Sequence, residues 1–121
     1  MVGIDLLEVE RMERALARRP RLAERLFTPG EIAYASSRGR PAEHLAARFA
    51  AKEAAVKALR AERAVLREIE VTGGGAEPPR LRLHGAVAKL ADRLGVELDV
   101  SLTHTRDHAA AVVQARPAAP G

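Results

Sequence analysis

Cysteine is absent from this chain, which excludes disulfides and thiolate metal sites alike. Tryptophan is absent as well, and Phe27, Tyr34 and Phe49 are the whole aromatic set. The core therefore has to be aliphatic, built from Leu, Val, Ile and Ala. A chain of 121 residues buries only a modest core of that kind, so association into an oligomer would help it. Stacking platforms for nucleic-acid bases need exposed rings, and neither a zinc finger nor an RNP-like pattern is present, so no nucleic-acid partner is expected. No apolar run is long enough to span a bilayer. The opening Met1-Val2-Gly3-Ile4-Asp5 has no basic region followed by a long apolar stretch. A cytoplasmic protein with no membrane contact is the expectation.

Charge is present in quantity and is unevenly placed. The net charge is +4, with 13 Lys/Arg against 9 Asp/Glu in residues 1–64 and 7 of each in residues 65–121. The surplus in the N-terminal half suits an acidic partner that docks there. Arg11, Arg14 and Arg18 recur at helical spacing and make a basic ridge.

Hydrophobic periodicity predicts a short strand over residues 2–5 and a helix from about Glu8 to Arg19, with Val9, Met12 and Leu16 on one side. Pro20 ends that helix or begins the next turn. Phe27-Thr28-Pro29-Gly30-Glu31-Ile32 reads as a helix start: Thr28 as N-cap, Pro29 as first helical residue, Glu31 closing a capping box, Phe27 and Ile32 as a staple. A long helix follows from Pro41 to about Arg63, with Leu45, Phe49, Val56 and Leu59 as its buried stripe. Ile69 and Val71 suggest a strand, residues 73–79 a loop, and Leu81 with Leu83 a second strand. Val87, Leu90, Ala91 and Leu94 form a helix closed by Gly95. Strict alternation from Val96 to Leu102 marks a strand buried on one face, a turn follows at residues 105–107, and the last strand spans Ala109 to Ala115. The sum is one α+β domain over residues 1–116, an antiparallel sheet with helices packed on one side, and a flexible tail over 117–121.

Three features could carry chemistry. Asp5 stands where a strand is expected to give way to a helix, so capping, with Glu8 as return partner, accounts for it locally. Glu53 and Lys57 share a helix face four residues apart, and such a pair is ordinarily a surface ion pair. Here, however, they flank one spot at the edge of the core stripe, with Arg48 and Lys52 adding positive charge. A carboxylate among cations is what a Mg²⁺–pyrophosphate site requires. His104 follows the strand of residues 96–102 at the start of a turn. The histidines are not expected to form a zinc site. The run Gly73-Gly74-Gly75 lacks a P-loop ending and reads as a flexible turn.

At these residues the chain resembles a known family. Gly3-Ile4-Asp5-Leu6-Leu7-Glu8-Val9-Glu10-Arg11 is similar to the opening signature of the holo-acyl-carrier-protein synthases. The stretch Arg48-Phe49-Ala50-Ala51-Lys52-Glu53-Ala54-Ala55-Val56-Lys57-Ala58 resembles their most diagnostic signature. Val100-Ser101-Leu102-Thr103-His104 with Ala109-Ala110-Ala111-Val112-Val113 looks like their C-terminal hairpin, so the likeness runs nearly end to end.

The resemblance implies a 4′-phosphopantetheinyl transferase-like fold and transfer of phosphopantetheine from coenzyme A to a serine of an acyl carrier protein, with 3′,5′-ADP released, in fatty acid or polyketide biosynthesis. It implies Asp5 and Glu53 as the Mg²⁺ ligands, and Glu53, directly or through a water, as acceptor of the serine proton. Lys57 would stabilise the departing phosphate, and Arg48 and His104 would contact the nucleotide. It implies a homotrimer with active sites between subunits. Carrier protein would dock on the basic first helix at Arg11 and Arg18, with Arg14 and Arg21 nearby. Two departures stand out: Glu77-Pro78-Pro79 replaces the usual Gly-Lys/Arg-Pro turn, and a few residues that normally begin the first strand are missing.

Overall fold

The computed structural model describes residues 1–120. Five strands and five helices make up these residues, in the order β1 (Val2–Glu8), α1 (Val9–Arg18), α2 (Leu22–Leu26), α3 (Pro29–Ser36), α4 (Pro41–Leu59), β2 (Ile69–Gly74), β3 (Glu77–Leu83), α5 (Gly85–Leu94), β4 (Val96–His104) and β5 (His108–Pro117). A 3-10 turn at Leu66–Glu68 precedes β2. The strands form two antiparallel sheets, one in the order β1-β5-β4 and one pairing β2 with β3. Helix α4 lies across the three-stranded sheet, in agreement with the α+β expectation.

That packing depends on small residues. The face of α4 against the sheet is alanine: Ala46, Ala47, Ala50, Ala51, Ala54, Ala55 and Ala58 are all buried. Of the expected stripe, Leu45 and Leu59 are buried, whereas Phe49 and Val56 are only half-buried. Alanine has little hydropathy of its own, so a periodicity reading passes over it. Its value here is that helix and sheet approach closely. Gly3 shows how closely: a Cβ there would collide with the Ala54 carbonyl oxygen and lie 2.8 Å from the Ala58 nitrogen.

Register then decides which side chains face the helix. Gly3 pairs with Val113, Asp5 with Ala111 and Leu7 with Ala109, and paired residues share a face. That inner face is buried or half-buried. The opposite one carries Val2, Ile4 and Leu6, which are 65%, 68% and 69% exposed. Residues 2–8 are thus one continuous strand, longer than expected. Asp5 sits in its middle and caps nothing, while Glu8 is the α1 N-cap without a side-chain cap bond.

The Thr28 capping box forms as expected. Thr28 Oγ1 accepts from Glu31 N–H, and Thr28 N–H donates to Glu31 Oε1 at 2.9 Å. Gly95 closes α5 in the left-handed conformation, with φ of 67°. Helix α4 stops at Leu59, four residues early, because Arg60 itself turns left-handed at φ 54°. The expected 73–79 loop is a tight turn, with Glu77 paired to Gly74 and Pro78 and Pro79 inside β3. At the C-terminus, Arg116 and Pro117 belong to β5. Arg116 pairs with Asp99 and Glu97, and Ala118 N–H donates to the Gly95 carbonyl. Of the expected tail, Gly121 lies outside the described residues.

Candidate active site

Two groups of polar side chains flank α4. The first forms where β1 crosses the helix. Lys57 Nζ donates to Asp5 Oδ1 at 3.0 Å and to the Ile4 carbonyl at 2.8 Å. Lys57 thus bonds across to β1, whereas the helical spacing had paired it with Glu53. Glu53 lies one turn back along α4 and is half-buried. Burial, and secondarily the negative charge of Asp5, raise the Glu53 carboxyl above the ordinary carboxylate range, with Lys57 opposing. Residues 48 positions apart in sequence therefore act on one another. Each step has a local cause: the Gly3–Ala54 approach seats β1 on α4, and strand alternation turns Asp5 to the same side as Gly3.

Two carboxylates that repel one another, with an ammonium on one of them, suit a hard divalent cation. Asp5 and Glu53 offer only oxygen donors, the set that Mg²⁺ prefers, and Lys57 supplies a neighbouring positive charge. The donor set fits Mg²⁺.

The second group lines a cleft of about 420 Å³ on the β4 edge of the sheet, opposite β1, bounded by Tyr34, Arg38, His44, Arg48, Gly74, Gly75, Glu77, Pro79, Thr103 and His104. Tyr34 is its centrepiece. The guanidinium carbons of Arg38 and Arg48 stand 4.5 Å and 4.1 Å from its ring centroid on cation–π contacts. Gly74, at φ 110°, lies so close that a Cβ would come within 2.6 Å of the Tyr34 hydroxyl. The glycine run is therefore a packing requirement of this cleft, a role its sequence did not disclose. Arg48 Nη2 donates to the Gly73 carbonyl at 2.9 Å, and its buried Nε has no hydrogen-bond partner among the described residues. Burial holds the guanidinium below its usual value. His104 ends β4, with its Nδ1 3.4 Å from Glu43 Oε2. Burial first, then the charge of His104, holds the neighbouring His44 below the usual imidazole value.

The structure brings Asp5, Glu53 and Lys57 together, and it brings Arg48 and His104 together. Within one chain the two sets are separate. Lys52 belongs to neither. It is fully buried, its Nζ bonded to Glu31 Oε1 at 2.7 Å and to the carbonyls of Leu66 and Ile69. The second oxygen of Glu31 accepts from Val71 N–H. Lys52 is a structural cation in the core and adds no charge beside Glu53, a correction to the sequence reading. Burial pulls its ammonium below the usual lysine value, with Glu31 opposing.

The basic ridge is exposed, as α1 requires. Arg11, Arg14, Arg18 and Arg21 all face solvent, and Arg14 pairs with Glu10 at 3.4 Å. Sequence reasoning missed Tyr34, Arg38, His44 and Thr103 in the cleft. Their only shared signal is that they surround the diagnostic segment in space, which spacing along one helix cannot reveal.

A family model described as the 4′-phosphopantetheinyl transferase superfamily matches residues 1–113. Among curated relatives, the holo-[acyl-carrier-protein] synthase of Moorella thermoacetica is 50% identical over 113 residues, covering 91% of this chain and 88% of that protein. The synthase of Streptomyces griseus is 48% identical over 114 residues, covering 93% of each. Among solved structures, the ACPS–CoA complex of Chronobacterium ammoniagenes superposes with a TM-score of 0.85 at 35% identity, covering 96% of each chain.

Proposed function

This chain belongs to the 4′-phosphopantetheinyl transferase superfamily and is a phosphopantetheinyl transferase, and on that premise we propose a mechanism and an assembly. Coenzyme A is the donor, a serine of an acyl carrier protein the acceptor, and 3′,5′-ADP the leaving product. The observation that carries the reading is the convergence of Asp5, Glu53 and Lys57 where β1 crosses α4.

Asp5 and Glu53 would hold Mg²⁺, which supplies charge neutralisation for the pyrophosphate as its bond to the phosphopantetheine phosphorus breaks. Phosphoryl-type transfer asks chiefly for positioning and electrostatics, which few side chains can provide. Glu53 accepts the proton of the attacking serine hydroxyl. Lys57 exchanges its bond to Asp5 for the departing phosphate oxygens. Arg48 and His104, with Arg38 on the same cleft wall, receive the nucleotide. Pro78 takes the place where the family usually has a cation, and Glu77 lines the cleft beside it, so the nucleotide relies more heavily on the two arginines.

Because the two groups are separate in one chain, the complete site needs a neighbouring copy. The outer face of β1 supports this, since Val2, Ile4 and Leu6 expose an apolar stripe beside Val112. Packed around that face as a homotrimer, each chain presents its Asp5–Glu53–Lys57 group to the cleft of the next. The exposed ridge of Arg11, Arg14, Arg18 and Arg21 receives the acidic carrier protein. Residues 1–116 act as the single transferase domain.

Incubation with coenzyme A, Mg²⁺ and an apo carrier protein, read by mass, tests the reading. Wild type adds one phosphopantetheine per carrier, and Asp5→Asn and Glu53→Gln fall by about 100-fold or more. Undiminished transfer by either variant overturns the site. Sedimentation that finds a monomer at working concentration overturns the assembly.

A further inference from the structure

Among the described residues, one cluster brings three potential metal ligands together, and it is neither of the carboxylates assigned to Mg²⁺. Glu43, His44 and His104 each offer one donor atom, and these atoms all lie within 4.8 Å of one another. We propose that this cluster is a second metal site, selective for a Zn²⁺-class transition ion over Mg²⁺.

The fold assembles it from two elements. Glu43 and His44 occupy the first turn of α4, where Pro41 starts the helix and holds the turn in place. His104 comes from the last position of β4, in register with Ala109 of β5. The rings of His44 and His104 meet edge to face with centroids 5.0 Å apart, and the His44 ring meets Tyr34 in the same manner at 5.7 Å. The ligands are therefore packed against neighbours on both sides, which limits what ordering them for a metal costs. All three are half-buried, and His44 and His104 line the cleft.

Distances favour chelation over a simple ion pair. The His104 Nδ1 to Glu43 Oε2 separation is 3.4 Å, long for a charge-assisted hydrogen bond. Two ligands of a tetrahedral zinc ion, each bonded at roughly 2.0–2.1 Å, stand about 3.4 Å apart. A ring nitrogen of His44 lies within 4.8 Å of the other two donor atoms, so it has to close by about 1.4 Å at most to reach that spacing. Glu43 can spare that oxygen, because its other one, Oε1, is held by Arg40 Nη1 at 3.2 Å. Arg40 in turn is anchored by Glu13 and by the Arg106 carbonyl, so the glutamate is oriented from behind in the manner that fixes metal-ligating carboxylates. Two imidazoles and one carboxylate form a donor set for Zn²⁺ or Co²⁺ with a position left open. Mg²⁺ binds imidazole poorly, so the two sites sort the two kinds of ion.

The test needs neither coenzyme A nor carrier protein, so it can fail without touching the transferase reading. Metal-stripped full-length chain is titrated with Co²⁺ and followed by visible absorption, then with Zn²⁺ by calorimetry, both in excess Mg²⁺. Wild type is expected to bind one Co²⁺ per chain with the intense bands of a four-coordinate ion, and Zn²⁺ displaces it. Removing an orienting partner of a ligand already costs 10–100-fold in affinity, so His44→Ala should cost about 100-fold or more, and Glu43→Gln at least about 10-fold. His84→Ala and His108→Ala should leave the affinity unchanged. Zn²⁺ should raise the melting temperature of wild type and leave that of His44→Ala where it is, which separates ligation from a packing role of the ring. Absence of saturable Co²⁺ binding in wild type, or wild-type zinc affinity in His44→Ala, overturns the site.

Discussion

Substituting Gly3 by alanine puts the seating of β1 on α4 to a direct test. The added methyl would meet the Ala54 carbonyl oxygen and lie 2.8 Å from the Ala58 nitrogen and 2.9 Å from the Ala54 carbonyl carbon. Ordinary contact begins at 3.4 Å, so relieving the Ala58 contact alone lifts the strand by about 0.6 Å, and the nearer Ala54 oxygen demands more than that. All three obstructing atoms are helix backbone, and none can swing aside as a side-chain end would. Overpacking of this kind costs about 3 kcal/mol, the upper end of the usual range, or a loss of about 10 °C in melting temperature for a chain of this size. Asp5 lies two residues along the same strand and moves with it. A misplacement approaching 1 Å in a reacting site costs about 100-fold in rate. Thermal melts followed by far-ultraviolet circular dichroism at one fixed protein concentration read the first quantity, and mass-detected transfer reads the second. Gly39→Ala is the control, because a Cβ at Gly39 meets nothing within 4 Å. A Gly3→Ala protein that melts within about 1 °C of wild type and transfers at the full rate refutes the proposed seating of Asp5.

Three further outcomes follow from single contacts. Glu53→Gln should melt higher than wild type at neutral pH while losing transfer. The folded chain raises the Glu53 carboxyl, so ionising it costs native stability above that raised value, and the cost disappears as pH falls through it. The advantage of the variant should therefore shrink as melts are repeated down towards pH 4, and an advantage that grows on acidification contradicts the assignment. Lys52→Met leaves the Glu31 carboxylate buried without its cation, and chemical denaturation should show a loss of about 3–5 kcal/mol, with a near-neutral result excluding the buried pair. Arg60 is the one non-glycine residue at positive φ among the described residues, so Arg60→Gly should raise stability by about 1 kcal/mol by equilibrium unfolding.

How much could be read without coordinates divides along the range of the forces involved. Thr28–Glu31, Gly95 and the alternation of residues 96–102 are satisfied within a few positions of the chain, so their residue types are sufficient signals. The family signatures likewise marked Asp5, Glu53 and Lys57 together, because motif spacing records a contact that periodicity cannot. The lysine beside them shows the opposite case. Lys52 reads as one more surface cation on a charged helix. Only the arrival of Glu31 from α3 and two carbonyls from the segment before β2 makes it a core residue.

By itself, the order of residues determined the α+β class, the Thr28 and Gly95 caps, the alternation of β4 and the family. Tertiary structure alone decided that an alanine face and one glycine let β1 touch α4, that a glycine run folds over Tyr34, and that Glu43, His44 and His104 converge. The physical reason is that caps and alternation are satisfied by near neighbours in sequence. Close approach, burial of charge and ligand convergence depend on atoms brought from distant segments, and no local pattern encodes their distance.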